Sequence, residues 1–397
     1  MSAQPTLFDS ARLTLDDAIE LTAASLRAYG AESEHWVLTY SGGKDSTTAA
    51  TLVHHLVRTG RVPAPKSFTL LYADTRMELL PLHWNALQLL EHMRSLGVET
   101  QVVQPPLDQR FWVYMLGRGV PPPGPRFRWC VGLLKLNPMT RFMEQLRERH
   151  GKLLILTGVR VGESAARDQR IAISCSRDGS ECSQGYFQRD TPEGLGAVLA
   201  PIIHWRVCHV FDWLSLFGPE AGYPTAVVAE TYGGDEAEEI NARTGCMACN
   251  VASKDLGLDT VVRLYPEQWG YLARVKRLRA LYKALRAPQH RLRQPGGETK
   301  ADGSLVRNQH RPGPLKMASR EWALAVVLDL QAQVNADADR LGRPRIDILC
   351  PEEEARIREM WAADTWPDKW TGQEPGADEY YVEAGSLFDD AQAVAHA

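Results

Sequence analysis

Apolar positions in the first half of the chain alternate between two rhythms. Residues 13–29 place Leu13, Ala18, Leu21, Ala24 and Leu26 at helical spacing, which predicts an amphipathic helix. Residues 36–40 are a short β-rich run that ends in a glycine pair, and a helical stretch follows to residue 58. The run 68–73 reads as a second, buried strand closed by Asp74. A helix over 81–96 leads to a third strand at 99–103, and 153–157 is a fourth. Buried strands alternating with helices predict an α/β fold, a parallel twisted sheet with helices on both faces. Residues 121–125 are a Pro/Gly loop. The polar stretch 171–196 reads as a cysteine-containing insertion. Beyond 260 the pattern changes: 262–285, 321–333 and 352–360 read as helices, and 287–315, rich in Pro, Gly, Gln and Arg, reads as a mobile linker or arm. The expected division is an α/β domain over 1–260 and a mostly helical extension over 261–397, basic first and then acidic.

The glycine pair carries the strongest chemical signal. Ser41-Gly42-Gly43-Lys44-Asp45-Ser46 lies between a strand and a helix. Glycines let the backbone approach phosphate oxygens closely. The turn and the helix start then aim N–H groups and a positive dipole end at one point. Lys44 adds a point charge, and the hydroxyls of Ser41 and Ser46 can donate. The spacing is not that of a Walker A loop. Lys44, Asp45 and Ser46 are therefore expected to act on the transferring phosphoryl group. Asp74, at the end of the second strand, could bind a ribose, hold magnesium through water, or cap a helix.

Composition changes this picture little. With 44% hydrophobic and 24% charged residues the chain is in the ordinary globular range. No apolar run approaches the roughly 20 residues a bilayer needs, and residues 1–17 lack a signal pattern, so a cytoplasmic protein without membrane contact is expected. The net charge of −4 does not by itself indicate a polyanion binder. However, Arg274, Lys276, Arg277, Arg279, Lys283, Arg286, Arg291 and Arg293 crowd one stretch. That run is either a nucleic-acid contact, with Arg274, Lys276, Arg277 and Arg279 at its centre, or a solvated helix face. Seven cysteines in a reducing compartment argue for metal or sulfur chemistry rather than disulfides.

Further blocks accompany the loop: Arg126-Phe-Arg128-Trp129-Cys130, Thr157-Gly158-Val-Arg160-Val-Gly-Glu163-Ser164-Ala-Ala-Arg167, Pro201-Ile-Ile-His-Trp205 and Val210-Phe-Asp-Trp-Leu214. Together with the loop they resemble the phosphoadenosine phosphosulfate (PAPS) reductase-like branch of the PP-loop ATP pyrophosphatases. Within that branch the chain is similar to the DndC family of DNA phosphorothioation sulfurtransferases, over residues 36–251. The resemblance implies a PP-loop/HUP-like sheet and release of pyrophosphate from ATP when a substrate is adenylylated. It also implies that Gly158, Arg160, Glu163 and Arg167 lie over the nucleotide, with Arg160 taking part in catalysis, as suits a bidentate guanidinium facing phosphate.

Two cysteine sites follow. Arg126, Arg128 and Lys135 flank Cys130 with positive charge, which would lower a thiol pKa; Cys130 could then carry sulfur, ligate iron, or be structural. Cys246 and Cys249 form a C-x-x-C behind a glycine, a spacing that can ligate one metal centre. The best second pair is Cys175 and Cys182 in the polar insertion. Four thiolates suit a [4Fe–4S] cluster, which the resemblance favours; Zn2+ is the runner-up. The DndC pattern has its partner cysteines shortly before the C-x-x-C, whereas residues 223–245 contain none, so Cys130 competes with the insertion pair as a ligand. Cys208 reads as core and Cys350 as incidental.

The leading functional expectation is a sulfurtransferase that adenylylates a nucleic-acid oxygen, with ATP, Mg2+ and a cluster as cofactors. The favoured target is a DNA backbone phosphate. The implied partners are a cysteine desulfurase as sulfur donor and other subunits of a modification complex. The alternatives are a tRNA thiolase, a PAPS or APS reductase, and a non-catalytic ATP-binding subunit of a defence complex. A reductase needs a terminal redox cysteine, and no cysteine follows Cys350.

Overall fold

The apolar runs form the strands their patterns predict. In the computed structural model, residues 13–161, 186–233 (apart from 190 and 192) and 246–379 (apart from 253, 298, 301, 309 and 310) are described. The strands are β1 (His35–Tyr40), β2 (Ser67–Ala73), β3 (Glu99–Val103), β4 (Leu153–Thr157), β5 (Tyr186–Gln188) and β6 (Gly196–Ala200), in the order β3-β2-β1-β4-β6-β5. β1 pairs in parallel with β2 and β4, β2 with β3, and β4 with β6; only β5 runs antiparallel, at the edge. The chain moves outward from β1 to β3 and then returns to the other side of β1. This leaves a topological switch point outside the carboxyl ends of β1 and β4, where open α/β sheets bind ligands.

Helices α1 (Leu15–Tyr29), α2 (Lys44–Arg58), α3 (Leu80–Ser95) and α4 (Asn137–His150) cover the sheet. Successive strand side chains point to opposite faces. Val37, Leu71 and Ile155 pack against Met139, Met143 and Leu146 of α4 on one face. The alternate positions serve the other face: Tyr40 meets Thr47 of α2, and Tyr72 meets His83 of α3. Near-continuous burial along β1, β2 and β4 is what a sheet covered on both faces requires. Helix α1 starts at a capping box in which the Thr14 hydroxyl and the Asp17 carboxylate bond reciprocally to each other's backbone N–H. Two shorter helices complete this region, α5 (Val207–Asp212) and α6 (Ala226–Thr231).

The chain divides into two compact units. Unit 1 is Met1–Asp74, Glu78–Val103 and Asn137–Thr244; unit 2 is Thr75–Met77, Gln104–Leu136 and Gly245–Ala397. The expected boundary at 260 thus lies at 244/245, and residues 104–136 belong with the C-terminal part. The reason is aromatic packing. Phe111 and Trp112 pack against Tyr282 with ring centroids 5.8 and 5.9 Å apart. Unit 2 is helical as expected, with α7 (Leu256–Leu264), α8 (Arg277–Leu285), α9 (Met317–Arg340) and α10 (Pro351–Ala362). No helix among the described residues is long and apolar enough to cross a membrane.

Two expectations are corrected. The stretch 287–315 is not a loose arm: Arg291, Leu292, Arg293 and Leu315 are buried, and Arg291 bridges to Leu315 and Leu292 to Gly376. Arg291 is buried through hydrogen bonds to carbonyls, its Nη2 donating to the Pro312 carbonyl at 2.8 Å. The insertion read over 171–196 lies outside the described residues up to 185; beyond that it contains strand structure, since Tyr186–Gln188 form β5 and β6 begins at Gly196. The short β6 run Gly-Ala-Val-Leu-Ala carries little β-branched signal, and its buried place comes from pairing with β4.

Candidate active site

The loop after β1 has the shape that phosphate binding requires. Gly42 has φ +73°, a conformation that favours glycine, and a Cβ there would lie 2.9 Å from the Cβ of Ala86. Gly43 is the N-cap of α2 and, lacking a side chain, makes no cap bond itself, which leaves the helix start without the usual local cap. The Ser46 hydroxyl closes the turn: it donates to the Gly43 carbonyl at 3.0 Å and accepts from the Ser41 N–H at 3.2 Å. The Ser41 and Ser46 hydroxyls are 2.9 Å apart.

Asp45 holds two cations together. Lys44 Nζ lies 2.9 Å from one carboxylate oxygen and Arg160 Nε 2.6 Å from the other. Arg160 is only 5% exposed and its Nη1 donates to the Trp205 carbonyl at 3.3 Å. The Asp45 expectation is thereby sharpened: as it stands, the carboxylate positions Lys44 and Arg160. Gly158 has a steric role, since a Cβ there would lie 2.8 Å from the Ser46 backbone. Glu163 and Arg167 lie outside the described residues. Tyr232 was not foreseen; its hydroxyl accepts from the Lys44 N–H at 3.3 Å and its ring lies 5.4 Å from the Lys44 ammonium. No local signal marks a tyrosine 188 residues away from its partner.

Asp74 is 8% exposed at the end of β2, and its N–H donates to the Val103 carbonyl at 2.9 Å. Asp74, Glu78 and His83 each bring one potential ligand atom within 4.8 Å of the others. The His83 ring is oriented by the Tyr72 hydroxyl, 3.0 Å from Nδ1. Mg2+ prefers oxygen ligands and keeps several waters, so the two carboxylates fit it better than the imidazole does.

The cysteines regroup in unit 2. Ala248 adopts φ +52° and the Cys249 N–H donates to the Cys246 carbonyl at 3.0 Å, a tight turn across the C-x-x-C. Arg279 clamps this turn by donating to the Cys249 and Ala252 carbonyls. Cys130 is near enough to Cys249 to feel its charge. Burial, with Cys249 second, pushes the Cys130 thiol up; Arg128 acts the other way but is outweighed. The expected thiolate-favouring environment is thus corrected, because desolvation exceeds the flanking charge. Behind these thiols stands Tyr282. It is fully buried, its hydroxyl has no hydrogen-bond partner among the described residues, and its pKa is raised by burial and by Cys246, Cys249 and Cys130. An orphan hydroxyl within electrostatic reach of three thiols fits a metal–sulfur group, whose thiolates or sulfides would accept a hydrogen bond from it. Cys175 and Cys182 lie outside the described residues. Cys208 and Cys350 are half-buried; Cys350 instead starts α10, its N–H donating to Glu353 at 3.1 Å.

The cationic run is largely paired within unit 2. Arg274 bonds Asp337 at 2.6 Å, Lys276 pairs with Asp259, and Arg277 donates to Gln333 at 2.8 Å. Together with Arg279 at the cysteine turn, all four residues have internal partners.

Parts of the chain are similar to known proteins. Residues 35–218 match the phosphoadenosine phosphosulfate reductase domain family. An uncharacterized protein of Methanocaldococcus jannaschii is 25% identical over 234 residues, which are 59% of this chain and 39% of that protein's length. Among solved structures, NMN synthetase from Francisella tularensis is 14% identical with a TM-score of 0.32, covering 64% of this chain and 94% of that one. The U34-tRNA thiolase NcsA from Methanococcus maripaludis, solved with its [4Fe-4S] cluster, is 11% identical with a TM-score of 0.32, covering 72% and 84%. The glycine cradle at the carboxyl end of β1 and the parallel sheet that holds it lie within residues 35–218, the stretch that matches the phosphoadenosine phosphosulfate reductase domain family.

Proposed function

We propose that this protein is a sulfurtransferase that adenylylates a nucleic-acid oxygen, with a DNA backbone phosphate favoured, and directs sulfur to the activated atom. One observation carries the sulfur half of this reading: an intact PP-loop occurs in the same chain as three thiols close enough to Tyr282 to raise its pKa, and the Tyr282 hydroxyl has no partner among the described residues. In the first step an acceptor oxygen attacks the α-phosphorus of ATP and pyrophosphate leaves. The N–H groups at the start of α2, with Lys44 and Arg160, would hold the leaving phosphates, and their fixed positions stabilise charge as it develops. Asp74 and Glu78 would hold Mg2+. In the second step hydrosulfide, released from the persulfide of a cysteine desulfurase by a second thiol that is oxidised to the disulfide, attacks the activated phosphorus and AMP leaves. Other subunits of a modification complex would present the strand.

Cys130, Cys246 and Cys249 would hold a [4Fe–4S] cluster, with Cys175 and Cys182 competing for the fourth position. When bound, such a cluster supplies an iron–sulfur surface on which sulfur can be positioned. Tyr282 would donate a hydrogen bond to one of the sulfurs. The test is direct. Anaerobically purified protein with Mg-ATP and DNA should yield AMP and pyrophosphate, and with a desulfurase, cysteine and a thiol reductant it should yield phosphorothioate linkages detectable after nuclease digestion. ADP as product, or thiolated tRNA with unmodified DNA, would displace this assignment.

A further inference from the structure

Unit 2 contains a cavity of about 850 Å³ that the functions above do not use. Five arginines line it, Arg118, Arg126, Arg286, Arg291 and Arg311, against one carboxylate, Asp368. That carboxylate is a weak partner: it lies 3.8 Å from Arg118 Nη2 and its side chain is 99% exposed. The arginines differ in how they are held. Arg291 is 8% exposed, and its guanidinium donates to the Gly313 and Pro312 carbonyls at 2.5 and 2.8 Å. Arg286 donates to the Pro123 carbonyl. These bonds to neutral carbonyls fix the guanidinium groups without neutralising them. Burial, followed by repulsion from Arg286 and Arg311, pushes Arg291 down to about 10. Like charges held together at such a cost favour an incoming anion.

The rest of the wall is aromatic and proline-rich. A two-residue turn bridges Gly124 and Phe127 with reciprocal 3.0 Å backbone hydrogen bonds and leaves the Phe127 ring 50% exposed. Tyr114 and Trp370 also line the space, and the Trp370 ring lies so close over Gly313 that no Cβ could fit there. Rigid π-faces beside several guanidinium groups match one ligand chemistry, a nucleotide. Its phosphate takes bidentate guanidinium bonds and its base stacks on an aromatic ring. The volume lies within the range of small-ligand sites.

We infer that this cavity takes an unpaired nucleotide, with the phosphate on the arginines and the base against Phe127 and Trp370, as a site separate from the PP-loop. For the strand that carries the nucleotide the inference rests on the nucleic-acid acceptor proposed above; the chemistry of the pocket does not depend on it.

The test uses the full chain and a fluorescein-labelled single-stranded DNA oligonucleotide of about 12 nucleotides, read by anisotropy across a salt series. Phe127→Ala removes an exposed ring and should weaken binding about tenfold with the salt slope unchanged. Arg126→Glu with Arg311→Glu, both at exposed positions, should make the log–log salt slope shallower by about 0.7 for each phosphate that is no longer neutralised. Cleavage of ATP to AMP without nucleic acid should be unchanged in all variants. Wild-type affinity and slope in both variants would overturn the pocket while leaving a nucleic-acid acceptor intact. A competition arm with dAMP and dCMP separates the sources: strand binding with no competition at millimolar nucleotide assigns the site to a strand. Absence of strand binding combined with Phe127-dependent dAMP binding keeps the pocket, assigns it to free nucleotides and removes the nucleic-acid acceptor.

Discussion

The PP-loop of unit 1 and the cysteine cluster of unit 2 are built in opposite ways. The loop is six consecutive residues whose chemistry and backbone shape are written together; the partners that complete it, Gly158, Arg160 and Tyr232, adjust a site that already exists. The cysteine site is assembled from separate places in the chain. Cys130 comes from one stretch, Cys246 and Cys249 from a second, and the tyrosine behind them and the Arg279 clamp from α8. A local site survives the loss of most of its neighbours, whereas a dispersed one depends on the packing of unit 2. Four variants probe one side or the other of that difference.

The largest effect is expected at Asp45. Its carboxylate holds Lys44 and Arg160 at 2.9 and 2.6 Å, so Asp45→Ala releases two cations at once. Formation of AMP and pyrophosphate should fall by at least ~10²-fold through lost charge stabilisation, while the iron content stays at the wild-type level. A loss of iron in Asp45→Ala would show that the two sites are not independent.

Next comes Cys130→Ser. If the cluster rests on the three gathered thiols, iron should fall from about four per chain to a small fraction of that, with ATP cleavage retained in the absence of acceptor. Cys208→Ser and Cys350→Ser should keep full iron. Full iron in Cys130→Ser would return the ligand set to Cys175, Cys182, Cys246 and Cys249. One tightly bound zinc in a colourless protein would keep the ligands and remove the iron.

Legibility in the sequence follows the same division. Strands β1 to β4 and the phosphate loop are readable because short-range pattern decides them: buried runs, a glycine pair and a helix start lie next to one another. Strand β6 escapes such a reading because pairing with β4, rather than its own residues, makes it a strand. Residues 287–315 read as an arm because Pro, Gly and Arg are common in exposed chain. Arg291 contradicts that average by bonding carbonyls inside the fold. Residues 104–136 read as part of the wrong core because no periodicity records that Trp112 stacks on Tyr282. The C-x-x-C is visible as a pair, but its third thiol and its tyrosine depend on that same packing.

A smaller effect is expected at Gly158. Its missing Cβ is what lets the turn after β4 lie against Ser46, where an added methyl would sit 2.8 Å from two backbone atoms. Backbone cannot step aside as a side chain can, so Gly158→Ala should displace the loop and cost about 1–3 kcal/mol. The expected readout is a lower melting temperature together with weaker ATP binding by calorimetry. Unchanged ATP affinity would mean that the loop tolerates movement and does not depend on close contact with Gly158.

The smallest effect is expected at Tyr282, and it is the most discriminating because its sign depends on the cluster. The ring is fully buried and stacked on Trp112, and Phe keeps that packing, so Tyr282→Phe removes only the hydroxyl. That hydroxyl has no partner among the described residues. A buried unsatisfied donor costs roughly 1–3 kcal/mol, and deleting it should leave stability unchanged or raise the melting temperature slightly. With a cluster bound, the same hydroxyl would donate to sulfur, a bond contributing about 1 kcal/mol net. Its loss should then speed bleaching in air and shift the reduction potential, because hydrogen bonds to cluster sulfurs help set that potential. Opposite signs in the metal-free and iron-loaded forms of one variant would establish that Tyr282 faces the cluster. Equal destabilisation in both forms would make it an ordinary core tyrosine and leave the three thiols without the partner that now distinguishes them.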